Sequence, residues 1–239
     1  NSGGYLGVAV QIIDELLADN ALIVYTEGNS QNKKEYFASE KGDFENGKLV
    51  VLVDEGSASA SEILAGAVQD WDRGMIVGRR TFGKGLVQEE YTFSDSSALR
   101  LTVARYFTPL GRSIQKPYTK GRQAYYEEYY NRFISGELYN EDSMKVVDSN
   151  KYVTPGGKVV YGGGGIIPDH FVSIDTSGIS TLYQTLRKKR LMDKFAFNYA
   201  PKTRETLLKN FSSPKEFYRS ENSNHTIKKK FKDFLKKNG

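Results

Sequence analysis

The chain has no cysteine, which excludes disulfides, thiol nucleophiles and thiolate metal sites together. An oxidising compartment stays compatible with it, because such a space permits disulfides without requiring them. Imidazoles are scarce as well. His170 and His225 are the two in the sequence, and both lie far along the chain from its serine- and glycine-rich segments, so a Ser-His-Asp arrangement would have to recruit a remote residue. Long hydrophobic runs are missing: Ala21–Tyr25 and Leu49–Val53 fall well short of the roughly 20 residues that cross a bilayer. No signal-peptide pattern opens the chain. It starts at Asn1 without Met and enters a Gly3-Gly4 turn at once, which reads as the interior of a longer protein.

What is present suits a folded domain. The 239 residues are 38% hydrophobic and 26% charged, enough to bury one large core or two modest ones. The net charge of +5 hides an asymmetry, because residues 176–239 hold 16 Lys and Arg against 5 Asp and Glu. A basic tail can serve nucleic acid or an anionic membrane surface. The plainer reading is a set of solvated helix faces, and no aromatic-interleaved recognition motif accompanies the charge, so no nucleic-acid partner is expected.

Periodicity sets out an α/β order. Leu6, Val10, Ile13, Leu16 and Leu17 recur at helical spacing, in a helix of about three turns ending near Asn20. Ala21–Tyr25 reads as a strand, and Glu27–Lys34 as a loop or hairpin. Lys48–Val53 has the texture of a fully buried central strand. Ser59–Trp71 carries Ile63, Leu64, Ala67, Val68 and Trp71 on one stripe of an amphipathic helix, and Met75–Val77 is a further strand. This order predicts a mainly parallel sheet with flanking helices. Leu86–Phe93 and Ala98–Phe107, separated by Ser94-Asp95-Ser96-Ser97, predict a β-hairpin. Residues 118–152, rich in Tyr and charge, read as a peripheral insertion. Gly162–Gly165 is a sharp turn that leads back to the core through Ile166–Asp169. Basic helices with apolar stripes, for example Phe231, Phe234 and Leu235, complete the chain.

Two segments carry chemistry. Val51–Ile63 is a strand, a turn of small residues and a helix N-terminus, which leaves room for a substrate carbonyl and offers free N–H groups beside it. Ser57, Ser59 and Ser61 compete for the role of nucleophile. A structural reading stands beside this one, because Ser59-x-x-Glu62 is also a capping box. The second segment, Arg80–Gln88, places Lys84 between two glycines and beside Phe82 and Leu86. A lysine amine held in such apolar surroundings moves toward the range of a general base, and Ser-Lys pairs are a known variant of the serine nucleophile scheme. If Gly85–Gln88 is extended, Lys84 and Gln88 face the same side and the amide can orient the amine.

The strings Gly56-Ser-Ala-Ser-Ala-Ser-Glu62 and Thr81-Phe-Gly-Lys-Gly-Leu-Val-Gln88 resemble those of the carboxyl-terminal processing peptidases. Asn1-Ser2-Gly3-Gly4-Tyr5-Leu6, Tyr106–Ile114 and Gly164–Asp169 resemble further stretches of that family, in the same order. The resemblance covers residues 1–115 densely and 152–172 thinly. It implies Ser59 as nucleophile, Lys84 as general base, Gln88 as the residue orienting Lys84, and an oxyanion hole from the backbone N–H of Ala60 with that of Gly3 or Gly4. It also implies a crotonase/ClpP-like α/β fold, a serine endopeptidase acting on unfolded or tagged polypeptides near their C-termini, and no cofactor or metal. A PDZ domain outside this chain would capture the substrate C-terminus, and the location would be periplasm or cell envelope. The expected organisation is a catalytic domain over 1–175, incomplete at its N-terminus, and a basic helical extension over 176–239. A homo-oligomer is compatible with the sequence. The alternative is a catalytically silent peptide-binding or scaffolding module of the same fold.

Overall fold

In the computed structural model the chain divides into two units, Asn1–Ile174 and Asp175–Gly239. The structure describes all residues except 30, 145, 147–149, 178–179 and 239. The first unit opens with helix α1 (Leu6–Asp14), shorter than its apolar spacing suggests, with Ala9 and Ile13 buried. Strands β1 (Leu22–Glu27) and β2 (Lys34–Phe37) form an antiparallel hairpin. Strand β3 (Val50–Val53), helix α2 (Ala60–Asp70) and strand β4 (Met75–Gly78) follow. The next hairpin is β5 (Leu86–Thr92) with β6 (Ala98–Phe107), close to its expected bounds. Helix α3 (Gly121–Ile134), a two-stranded ribbon of β7 (Lys151–Val153) and β8 (Val159–Tyr161), and β9 (His170–Phe171) complete the unit.

The fold is mixed α/β, but its strands do not form one mainly parallel sheet. β3-β4-β9 is a parallel sheet, whereas β2-β1-β6-β5 is antiparallel throughout. The difference arises because β1 takes its neighbours from two hairpins rather than from β3. β3 is also not a central strand. It lies at the sheet edge, with Val50 55% and Leu52 78% exposed, and β4 takes the middle place. An unbroken apolar run does not distinguish the middle of a sheet from its edge.

Helix α2 carries the core. Ile63, Ala65, Ala67 and Val68 are buried with Ile13, Leu17, Ile23, Val24, Ile76 and Ile166 from the surrounding elements. Gly66 lets the helix approach β6's exit, because a Cβ there would sit 2.8 Å from Thr108 Cγ2. The Tyr106–Ile114 motif serves this packing: Arg112 is 1% exposed and is paired with Asp70 of α2, and its guanidinium also donates to Gln69 Oε1 (3.1 Å) and the Tyr161 carbonyl (2.9 Å). Asp169 ends the Gly164–Asp169 motif in the same manner, accepting from Ile76 N–H and Gln69 Nε2, both at 2.8 Å. These two stretches hold the frame of the fold through buried polar contacts. The segment 118–152, expected at the periphery, in fact sends Arg132, Glu137 and Leu138 inward; positions 145 and 147–149 within it lie outside the described residues.

The second unit is helical: α4 (Thr181–Lys188), α5 (Leu191–Asn210), α6 (Pro214–Arg219) and α7 (Glu221–Asn238). Phe195 packs against Phe231 and Phe234 at ring separations of 5.0 and 5.6 Å, so the aromatic stripe of α7 finds its partner on α5. Among the described residues no helix is long and apolar enough to cross a membrane.

Candidate active site

Strand β3 ends in a turn built by its own side chains. Asp54 Oδ1 accepts the Gly56 N–H at 3.0 Å and the Ser57 hydroxyl at 3.1 Å, while Asp54 N–H donates to Ser57 Oγ at 3.1 Å. The Ser57 hydroxyl is therefore spent on the turn. Ser61 lies inside α2. Of the three competing serines, Ser59 has the unusual backbone, with φ 56° and ψ −121° at the N-cap of α2. A positive φ costs a non-glycine residue on the order of 1–3 kcal/mol and persists where the surroundings over-determine it.

The surroundings do so here through Glu62, whose side chain is 0% exposed. Its Oε1 accepts the Thr81 hydroxyl at 2.5 Å and the Gly83 N–H at 2.7 Å. Its Oε2 accepts the N–H groups of Ser59 and Lys84, both at 2.8 Å. A single carboxylate oxygen thus receives both candidate catalytic backbones, and their amide nitrogens lie no further apart than two such bonds laid end to end. Burial pushes the Glu62 carboxyl above its ordinary value, opposed by the bonds from Thr81, Lys84, Gly83 and Ser59. Ser-x-x-Glu reads in the sequence as a capping box. The Glu62 half of that box is formed, its carboxylate accepting the Ser59 N–H, while the Glu62 N–H goes to the Ser59 carbonyl at 2.8 Å. The sequence signal for Glu62 was real, but its reach to residues 81–84 depends on tertiary structure.

The Lys84 loop is held on every side. Phe82 N–H donates to the Ser57 carbonyl at 2.8 Å, Lys116 N–H to the Gly83 carbonyl at 3.0 Å, and Gly85 N–H to Gln115 Oε1 at 2.9 Å. Both flanking glycines are required by close approach. A Cβ on Gly83, at φ +86°, would lie 3.0 Å from Lys116 Cβ, and one on Gly85 would lie 2.7 Å from Gln115 N. Lys84 is half-buried. Gln88 is exposed on β5, and among the described residues no hydrogen bond joins it to Lys84.

The N-terminal glycines meet the same turn. Gly3, at φ +98°, leaves no room for a side chain: a Cβ would stand 2.8 Å from Ser59 Cβ and 3.1 Å from Ala60 N. The Ala58 N–H donates to the Asn1 carbonyl at 3.1 Å. Gly3 N–H is taken by Asn1 Oδ1 at 3.0 Å, which leaves Gly4 as the other glycine amide named for the oxyanion hole. Ala60 is the first residue of α2, where helix geometry supplies no intrahelical partner for its N–H. His170 is exposed on β9 and His225 belongs to the second unit.

A family model described as peptidase family S41 matches residues 1–122. A carboxy-terminal-processing protease of Bartonella bacilliformis is 47% identical over 116 residues, covering 48% of this chain and 26% of the relative. A carboxyl-terminal-processing protease of Picosynechococcus is 45% identical over 116 residues, covering 48% of this chain and 28% of the relative. A chloroplastic C-terminal processing peptidase of Tetradesmus obliquus is 44% identical over 117 residues, covering 48% and 25%. The chain thus spans about a quarter of the length of these curated relatives. A solved photosystem II D1 C-terminal processing protease is 44% identical, covers 48% of this chain and 30% of its own, and has a TM-score of 0.44.

Proposed function

The chain belongs to peptidase family S41, and from that premise we propose that it carries the catalytic centre of a carboxyl-terminal processing serine peptidase with a Ser59/Lys84 dyad. The observation that carries the reading is the shared Glu62 oxygen, which binds the backbone of nucleophile and base at once. A silent scaffold would need neither that coupling nor the strained backbone of Ser59.

In this mechanism Ser59 Oγ attacks the peptide carbonyl carbon while its proton passes to the Lys84 amine. The oxyanion of the tetrahedral intermediate is met by the backbone N–H of Ala60 and of Gly4. Lys84 returns the proton to the leaving amine, the C–N bond breaks, and an acyl-enzyme remains on Ser59. Water, deprotonated by Lys84, attacks the ester carbonyl and releases the new carboxyl terminus and the serine. In this reading the Gln88 amide, exposed on β5 in the free chain, turns toward Lys84 and orients its amine.

Substrates in this reading are unfolded or C-terminally tagged polypeptides, cut near the C-terminus. The position of β5 supports an extended chain as ligand: it is the edge strand of its sheet and begins two residues beyond Lys84. An added strand would use its outward backbone groups. A PDZ domain outside this chain would supply the grip on the C-terminus. A periplasmic, envelope or lumenal setting fits relatives that are bacterial and chloroplastic. The crotonase/ClpP-like class is proposed for the whole protein, supported by the parallel β3-β4-β9 sheet against which α2 packs.

The test is cleavage of an unstructured polypeptide with an apolar C-terminus by the full-length protein, comparing wild type with Ser59→Ala and Lys84→Ala. Activity abolished in both folded variants is expected, and equal cleavage by all three would discard the dyad.

A further inference from the structure

Five ionisable side chains with no part in the peptidase steps gather behind the Lys84 loop. Arg80, Lys116, Arg132 and Glu137 are each at most 4% exposed, and Glu128 closes the outer end with a side chain 31% exposed. Arg80 Nε donates to Glu137 Oε1 at 2.7 Å, its Nη2 to Glu137 Oε2 at 3.0 Å and Glu128 Oε1 at 2.9 Å, and its Nη1 to the Gly164 carbonyl at 2.6 Å. Lys116 Nζ donates to Glu128 Oε2 at 2.9 Å. Arg132 Nε completes the network on Glu137 Oε1 at 2.8 Å. A buried ionic cluster of this kind is a weak source of net stability, since desolvation consumes most of the attraction. Its geometry is more informative.

Every residue leading into Lys84 is gripped by this group. Arg132 donates from Nη1 to the Thr81 carbonyl at 3.0 Å and from Nη2 to the Arg80 carbonyl. Lys116 Nζ stands 3.9 Å from the Phe82 ring centre and 4.3 Å from that of Tyr125, and Tyr125 of α3 meets Phe82 edge-on at 5.8 Å. The Gly83 carbonyl accepts the Lys116 N–H at 3.0 Å. The holding groups of α3, Tyr125, Glu128 and Arg132, together with Glu137, all lie beyond residue 122, where the family match ends.

We propose that Arg132 is a positioning residue for Lys84: helix α3 docks onto the carbonyls of residues 80 and 81 and thereby sets the loop that presents the base. The proposal rests on the reading of Lys84 as general base. A role confined to stability would leave turnover unchanged in any variant that stays folded, whereas a positioning role lowers kcat and leaves substrate affinity alone.

The experiment measures kcat and KM on an unstructured polypeptide for the full-length protein, with circular dichroism confirming the fold. Arg132→Gln is expected to lose at least tenfold in kcat with KM within twofold of wild type. Arg132→Lys, which can still reach one carbonyl, recovers part of the loss. A folded Arg132→Gln with wild-type kcat overturns the proposal, as does a change confined to KM. Should Arg132→Gln fail to fold, Arg132→Lys decides, because it keeps the cation but not both carbonyl bonds. A severalfold loss of kcat at constant KM in that folded variant supports the proposal, while a wild-type kcat overturns it. Lys84→Ala is run alongside. If it cleaves normally the dyad itself falls and the proposal with it, whereas a silent Lys84→Ala beside a fully active Arg132→Gln removes the positioning role alone.

Discussion

Glu62→Gln tests most directly how the site is assembled. The native carboxylate accepts four hydrogen bonds and faces donors alone: the Thr81 hydroxyl and Gly83 N–H on one oxygen, the Ser59 and Lys84 N–H groups on the other. Glutamine keeps the shape but turns one acceptor into a donor. With its NH2 toward Ser59 and Lys84 it strands both amides. With its NH2 on the other side, the Thr81 hydroxyl can turn to accept, and the Gly83 N–H is left alone. That second orientation is cheaper, yet one orphaned buried donor still costs about 1–3 kcal/mol, and the surviving bonds lose roughly another 1 kcal/mol of charge assistance. Relief of carboxylate desolvation, the force that raises Glu62, offsets part of this. A net loss of about 2 kcal/mol translates into a Tm lower by roughly 4–8 °C for a chain of this size. The effect on turnover is larger, because a displacement of about 1 Å in either member of the proposed dyad costs on the order of 100-fold. Thermal unfolding by circular dichroism and the rate of Ser59 labelling by a fluorophosphonate measure the two effects separately. A variant that melts lower but labels at the wild-type rate would refute the claim that Glu62 sets the geometry, and one unchanged in both would refute the hydrogen-bond argument itself.

Ser59→Gly should melt above Ser59→Ala by about 1 kcal/mol, because glycine relieves the positive φ that alanine retains, while both variants are inactive; equal melting would mean that the backbone there is not strained. Gly3→Ala should abolish activity and lower Tm, since its Cβ collides with Ser59 Cβ, whereas Gly4→Ala, with nothing within 4 Å, should change stability by less than about 0.5 kcal/mol in thermal unfolding. Burial would raise the Glu128 carboxyl, but the Lys116 hydrogen bond and the Arg80 charge outweigh it and hold it below 4.5. Its contribution to stability is therefore present above about pH 4.5 and lost as pH falls through the depressed value, and Glu128→Gln should flatten that part of a urea-denaturation pH profile.

Local pattern carried much of this protein. The 3.6-residue stripe of α2 from Ile63 to Val68, the short β4 and the β5–β6 hairpin across Ser94–Ser97 could all be read because each encodes its own buried face or turn. The Ser59 and Lys84 segments were equally legible, since small residues and glycines mark places where backbones must approach closely. Tertiary structure alone decided which strands pair, and so made one sheet antiparallel and put β3 at an edge, because strand partners are chosen by long-range packing that an apolar run does not record. It alone turned α3 inward: Tyr and charged residues at partly helical spacing look solvated until Arg132 and Glu137 are seen against Arg80. It alone disclosed that Glu62 serves residues 81–84 as well as its own helix cap, because a buried carboxylate collects donors from whatever segments the fold brings within 3 Å, and those segments are 19 to 22 positions away in the chain.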